Sequence, residues 1–378
     1  MCKILLAEFA SFKAAAVLGV SLAVYLPVAS LVQAADEVGR AYVKTRDGET
    51  PKPVVAVDNV TAWPNLTVLR DGSIIATIFN QPCHGEWEGD VECWASVDGG
   101  RTWKLRGTPA PHEPGTNRMN VAAGLASDGD LIVLASGFRH RPPVGKRANH
   151  KSPAKILSPW ICRSADGGAT WSIDRESFPK TPLGHDGVPF GDILPGKDGG
   201  LRAALYRGGT GETFVYRSAD DGKTWGEPAI IDKEAVINEP ALFHLGQGKW
   251  LVAARHDGLD LYASDDDARS WRRQQQVTGK QQHPGHIMRL KDGRLLSSNG
   301  NRVEPKGVDV RLSDDEGKTW SDPLRVADFQ GDGGYPSSVQ LPDGQVLTAF
   351  YAQRTASHPR YHMGVVIWNA PVGSQSEK

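Results

Sequence analysis

From Leu66 onward the chain repeats one arrangement of apolar and polar positions: a short apolar strand, a tight polar turn, a second apolar strand. It appears first as Leu66-Thr67-Val68-Leu69-Arg70-Asp71-Gly72-Ser73-Ile74-Ile75-Ala76. It returns around Asp128-Gly129, Asp198-Gly199, Gln247-Gly248, Asp292-Gly293 and Asp343-Gly344. Asp-Gly between runs of β-formers is a strong hairpin signal, because glycine takes the positive φ that a tight turn demands. Beyond the first 35 residues no stretch longer than one turn carries a 3.6-residue apolar period. The pattern therefore predicts strands and no helix.

A second repeat is interleaved with the first. SVDGGRTW runs from Ser96 to Trp103, SADGGATW from Ser164 to Trp171, SADDGKTW from Ser218 to Trp225 and SDDEGKTW from Ser313 to Trp320. A worn copy, SDDDARSW, runs from Ser264 to Trp271, with Ala268 in the glycine slot and Ser270 in the threonine slot. The aspartate can bond the backbone of its own turn, the glycine can supply a left-handed residue, and the tryptophan can pack between neighbouring sheets. These eight-residue turns are therefore read as scaffold rather than chemistry. Six hairpins, five of them followed by this turn, define a repeat of roughly 45 to 70 residues. Repeats of that period built from about four strands predict an all-β, six-bladed β-propeller. The last repeat has no such turn, which predicts closure by a strand from the other terminus. Val54–Val57 and Met363–Trp368 are the candidates.

Composition adds bounds. The 378 residues are 39% hydrophobic and 23% charged, as in globular proteins. A formal net charge of −1 gives no long-range attraction to nucleic acid or to an acidic membrane. Lys3 and Lys13, the apolar run Ala14–Leu26 and the small residues of Val32-Gln33-Ala34 read as a cleavable secretory signal over residues 1–35. The run is too short to span a membrane and no second one follows. The expectation is one domain over residues 36–378, exported to the periplasm or beyond. Export permits disulfides. Cys83 and Cys93, ten residues apart, could close a loop and leave Cys162 unpaired; three reduced buried thiols are the other reading. His358 and His362 have a metal-like spacing, but Pro359 lies between them and no further ligand is near, so no metal is expected.

The turn Ser-x-Asp-x-Gly-x-Thr-Trp resembles the Asp-box, or BNR repeat, and five copies on a six-hairpin chain are similar to the sialidase (neuraminidase) superfamily. Propellers of this kind include sialidases, other exo- and endo-glycosidases, a few polysaccharide lyases and non-catalytic proteins, so the fold alone does not choose an activity. The resemblance implies three arginines on a substrate carboxylate, a tyrosine nucleophile served by a glutamate, and an aspartate acid on a first-blade loop. A neutral phenol suits an anionic sugar, whose carboxylate would repel the usual carboxylate nucleophile.

Tyr335, in Gly334-Tyr335-Pro336-Ser337-Ser338, looks like the nucleophile, and Glu239, in Asn238-Glu239-Pro240, like its partner. Arg255 and Arg302 fall where the second and third arginines belong. Ala62, in Ala62-Trp63-Pro64, stands where the first should be, and Arg118 is the candidate replacement. Asp90 is the expected acid, with Glu86 and Glu88 competing in the same loop and His84 as a histidine alternative. His185, His256, His283 and His286 also flank inner strands, and at least one functional histidine is expected among them.

These residues point to a secreted exo-acting glycoside hydrolase that cleaves a terminal acidic sugar, sialic acid or a uronic-acid-containing glycan. No metal or organic cofactor is implied. Two alternatives stay open: a histidine-based rhamnosidase or uronate lyase on the same propeller, and a non-catalytic glycan-binding propeller.

Overall fold

The computed structural model describes residues 40–140, 155–207 and 210–372. The expected signal over residues 1–35 lies outside them. All regular structure among the described residues is strand.

The predicted hairpins grow into four-stranded antiparallel meanders. Ala62–Val68, Ile74–Phe79, Val91–Ser96 and Lys104–Ala110 form one sheet. Asn238–Gly246, Lys249–Arg255, Leu259–Ser264 and Arg272–Gln276 form a second, and Gln282–Arg289, Leu295–Asn301, Gly307–Ser313 and Leu324–Asp328 a third. A fourth joins both ends of the described chain: Gln330–Gln340, Val346–Arg354 and His362–Trp368, with Val54–Asp58 as its outer strand. Val54 pairs with Val365 and Asp58 with His362, so both terminal segments expected to close the ring meet in one sheet.

The remaining sheet has eight strands. The meander that begins at Asn120–Leu125 and the one that begins at Val188–Pro195 join through parallel pairing of Gly191–Ile193 with Ala122–Gly124. The first strand of each meander touches the first strand of the next, and the last returns to the first. This closed ring is a β-propeller. It leaves the first-strand ends gathered around one axis.

The eight-residue turns hold the meanders together as expected. Asp98 Oδ1 accepts from the backbone N–H of Arg101 (3.0 Å) and of Thr102 (2.9 Å), and Oδ2 from the Thr102 hydroxyl (2.6 Å). Ser96 Oγ accepts from the Gly100 N–H at 2.8 Å and donates to Asp98 Oδ1 at 2.8 Å. Gly100 sits at φ 86°, where a Cβ would also strike Leu347 of the neighbouring sheet. In the worn copy Ala268 carries that left-handed backbone at φ 67°, and the Ser264 and Asp266 bonds persist around it. Trp103 packs in a cluster with Leu341 and Leu347 of the last sheet, which makes the turn an inter-sheet bolt.

The Thr102 side-chain and backbone bonds hold the Asp98 carboxyl at about 2, below its ordinary value. A carboxylate whose folded pKa is depressed contributes stability above its unfolded pKa, and that contribution is lost as pH falls through the folded one. The turns therefore weaken the fold as pH drops from about 4 toward about 2. Asp220 makes the same contacts, from Ser218 Oγ (2.8 Å), Thr224 N–H (2.9 Å) and Thr224 Oγ1 (2.6 Å). Asp220→Ala is expected to cost about 1–2 kcal/mol in urea unfolding, because the carboxylate it removes is solvated. Activity per folded molecule should be unchanged, and an inactive folded variant would refute the scaffold role.

The disulfide reading is corrected. Cys83, Cys93 and Cys162 are all free and buried. Cys93 lies on Val91–Ser96 and packs with Ala123, Val133 and Cys162, whereas Cys83 packs with Phe79 and Met119. The two thiols belong to different apolar clusters, so the loop between them is closed by packing. Burial pushes the Cys93 thiol up to about 12, which keeps it protonated and unreactive.

Candidate functional site

Three innermost strands carry a residue–proline pair: Trp63-Pro64, Glu239-Pro240 and Tyr335-Pro336. Each leading residue has a left-handed backbone, with φ of 46°, 46° and 50°. Each lies at a break in strand register, between Ala62 and Asn65, Asn238 and Ala241, and Gly334 and Ser337. A non-glycine residue there costs on the order of 1–3 kcal/mol, and such strain concentrates where function requires a particular side-chain direction. All three side chains line one cavity at the end of the ring, enclosing about 900 Å³ of space open to solvent.

The cavity floor carries the chemistry. The Tyr335 hydroxyl donates a short hydrogen bond to Glu239 Oε1. Arg255 Nη1 donates to both oxygens of the same carboxylate, at 3.2 and 3.0 Å. Glu239 is only 5% exposed, so an unpaired charge there would be costly and the guanidinium offsets it. Burial and the adjacent Glu239 charge push the Tyr335 hydroxyl well above its ordinary pKa, so the phenol is neutral at rest. Burial works against the charge of Arg255, yet Glu239 carries its pKa above the ordinary value.

Arg302 joins this cluster from the adjacent sheet. Its guanidinium stands 5.5 Å from the centroid of the Tyr335 ring, and its Nη1 donates to His283 Nδ1 at 3.0 Å. Burial, then Arg255 and Arg302, lower the pKa of His283 to about 3, so it is a neutral acceptor. Tyr335, Glu239, Arg255 and Arg302 are thus brought together.

The other expected residues are placed differently. Arg118 is buried with its guanidinium 3.6 Å from the Trp160 ring centroid, donating to the Ser158 carbonyl at 2.9 Å. These partners, with Glu113 at 3.8 Å, lie apart from the Tyr335–Glu239–Arg255 cluster, so Arg118 is not brought to it. Asp90 also lies off the wall. His112 approaches its Oδ1 at 2.6 Å through Nδ1 and at 2.7 Å through its backbone N–H, while Glu88 caps the Gly115 N–H at 2.6 Å. His84, from the same loop, does line the cavity, with its ring centroid 5.0 Å from Trp63 and its Nδ1 3.1 Å from Asp332 Oδ2. His185 Nδ1 lies 2.8 Å from Glu212 and His256 Nδ1 3.3 Å from Asp260, so each is engaged by a carboxyl group of its own sheet.

Other side chains complete the wall, His286 among them. Trp63, Met119, Phe138, Phe190 and Tyr206 form an apolar and aromatic face of the cavity. Asn65 donates to Asp192 Oδ1 at 3.0 Å, and His286 Nε2 meets Asp192 Oδ2 at 3.1 Å, tying three inner strands across the axis. A readable sign was present: Trp63-Pro64, Glu239-Pro240, His283-Pro284 and Tyr335-Pro336 recur in the inner strands and mark their bulges. Among the described residues no three His, Cys, Asp or Glu side chains cluster as a metal site.

Residues 72–347 match the family described as BNR repeat-like domain. No curated protein matches the chain. Among solved structures, a Dyadobacter fermentans protein of unknown function superposes with a TM-score of 0.66 at 20% identity, over 88% of this chain and 98% of that one. The K499G mutant of NanB sialidase from Streptococcus pneumoniae gives a TM-score of 0.63 at 13% identity, over 85% of this chain and 71% of that one. Trypanosoma rangeli sialidase in complex with sialic acid gives 0.61 at 16% identity, over 88% of this chain and 57% of that one. At such identities the likeness is one of fold.

Proposed function

The chain belongs to the BNR repeat-like domain family, the sialidase-type Asp-box propellers, and from that premise we propose that it is a glycoside hydrolase whose nucleophile is Tyr335. The observation that carries this reading is the Tyr335–Glu239–Arg255 chain at the floor of an open cavity. Arg255 holds the Glu239 carboxyl in place, with Oε1 set to accept the phenolic proton. Because the phenol is neutral at rest, its proton passes to Glu239 as the oxygen attacks the anomeric carbon. The covalent sugar is then released by water, with Tyr335 recovering its proton from Glu239.

The substrate follows from charge. Arg255 and Arg302 place two cations beside a neutral nucleophile, an arrangement suited to a terminal sugar bearing a carboxylate, sialic acid or a uronic acid. The aromatic face around Trp63 and Phe190 suits the apolar side of a sugar ring. In this reading the eight-stranded sheet counts as two blades of a six-bladed propeller, and residues 1–35 are a cleaved signal for export to the periplasm or beyond. The chemistry uses no metal or organic cofactor.

The test is a screen of the purified protein against aryl sialosides, aryl uronosides and polyanionic polysaccharides. Release of the aryl group or of reducing ends without new ultraviolet absorbance is expected. A conjugated, ultraviolet-absorbing product would replace hydrolysis by elimination, and binding without turnover would leave a lectin-like propeller. On an acidic substrate Arg302→Ala is expected to raise KM by about tenfold or more, with a smaller change on an uncharged aryl glycoside.

A further inference from the structure

A nucleophile alone leaves the departing oxygen unprotonated, and the acids of the His84–Asp90 loop bear unequally on that need. Asp90 is held by His112 and lies off the cavity wall. His84 is on the wall, and its ring and the Tyr335 ring pack against one indole, at centroid distances of 5.0 and 6.1 Å from Trp63. Behind His84 stands Asp332, on the same strand as Tyr335. Its Oδ2 lies 3.1 Å from His84 Nδ1, while its Oδ1 accepts the Gly333 N–H at 3.0 Å, which fixes the carboxylate plane. Burial opposes the charge on Asp332, but His84, the Tyr351 hydroxyl and the Arg302 charge together outweigh it and hold the carboxyl below its ordinary range. Asp332 therefore orients the imidazole, as carboxylates do behind catalytic histidines.

The geometry points to His84, oriented by Asp332, as the group that protonates the leaving oxygen. The inference rests on the Tyr335 reading and completes it. In the first step Tyr335 Oη bonds to the anomeric carbon and its proton goes to Glu239. The glycosidic C–O bond breaks, its electron pair stays on the leaving oxygen, and the imidazolium of His84 supplies that oxygen's proton from Nε2. In the second step neutral His84 takes a proton from water as the water oxygen attacks the anomeric carbon. The bond to Tyr335 breaks, its electron pair returns to Oη, and Glu239 returns the phenolic proton. His84 ends protonated as it began. Asp332 is a positioning residue, since it acts through the imidazole. Leaving-group dependence separates proton transfer by His84 from mere packing of its ring against Trp63.

The experiment uses aryl sialosides and uronosides whose leaving phenols range from dinitrophenol to phenol itself. A good leaving group departs without a proton, whereas phenol requires one. His84→Gln is expected to lose on the order of a hundredfold or more in kcat/KM on the phenyl glycoside and no more than a few-fold on the dinitrophenyl one. Asp332→Asn should show the same dependence with a smaller loss, and Asp90→Asn a flat profile. Melting curves establish that each variant is folded, and if His84→Gln is not, Asp332→Asn decides. An equal loss across all leaving groups in the His84 and Asp332 variants would overturn the proposal, as would a leaving-group-dependent loss in Asp90→Asn. The underlying reading fails separately: the wild type would then turn over none of the series, or Tyr335→Phe would retain turnover of the dinitrophenyl substrate.

Discussion

Tyr335→Phe is expected to lower turnover by at least about three orders of magnitude while the protein melts as the wild type does. The substitution removes one oxygen and keeps the ring that packs against Trp63, Phe190 and Tyr351. The strain at φ 50° and the register break around it remain, since neither depends on the hydroxyl. Substrate affinity should persist, because Arg255 and Arg302 are untouched. Glu239→Gln should act alike, for an amide cannot take the phenolic proton, and it loses the charge that Arg255 pairs with. Since the two residues act as one unit, the double variant should be hardly slower than either single one. Steady-state kinetics on the best substrate of the screen checks both statements. Turnover by Tyr335→Phe near the wild-type level would end the tyrosine mechanism.

Arg202→Ala should have the largest effect on stability, about 3–5 kcal/mol in urea unfolding, with activity per folded molecule retained. Arg202 is 1% exposed and joins two successive sheets. Its Nη2 donates to Asp198 Oδ1 at 3.0 Å and also to Asp267 Oδ2 in the worn turn of the next sheet. Asp267 further accepts the Trp250 indole N–H at 2.9 Å, so its carboxylate cannot turn to water when the guanidinium leaves. Burial alone would raise the Asp267 pKa, yet its hydrogen bonds and the two arginines Arg202 and Arg217 hold it below the ordinary value. The network therefore stabilises the fold above the unfolded carboxylate pKa and loses that contribution as pH falls below it. Asp267→Asn in the Arg202→Ala background should recover part of the loss by removing the stranded charge. Additive losses in the double variant would show that the pair is not coupled.

The scaffold was readable because its signals are local. Asp98 reaches no farther along the chain than Thr102, and each hairpin turn is closed within a few residues. Such contacts depend on residue type at fixed offsets, which is what a sequence displays. The Tyr335 and Glu239 assignments were carried by resemblance in short motifs that include the proline after each residue. Their hydrogen bond spans 96 positions, and no local pattern encodes it.

Elsewhere the direction of a side chain was beyond the reach of spacing. Arg118, three residues after Gly115 and just ahead of an inner strand, turns onto Trp160 instead of the axis. Cys83 and Cys93, near in sequence, are divided between two apolar clusters. Asp90 and His84 share a loop, yet only His84 reaches the wall, and the Asp332 behind it comes 248 positions later. Residue types, repeat period and turn chemistry thus determine that this chain is an Asp-box propeller, and resemblance in short motifs adds a tyrosine and a glutamate on its inner strands. Which acid, arginine and histidine meet them is decided by register breaks and ring closure, because a one-residue shift in a strand sends a side chain to its opposite face.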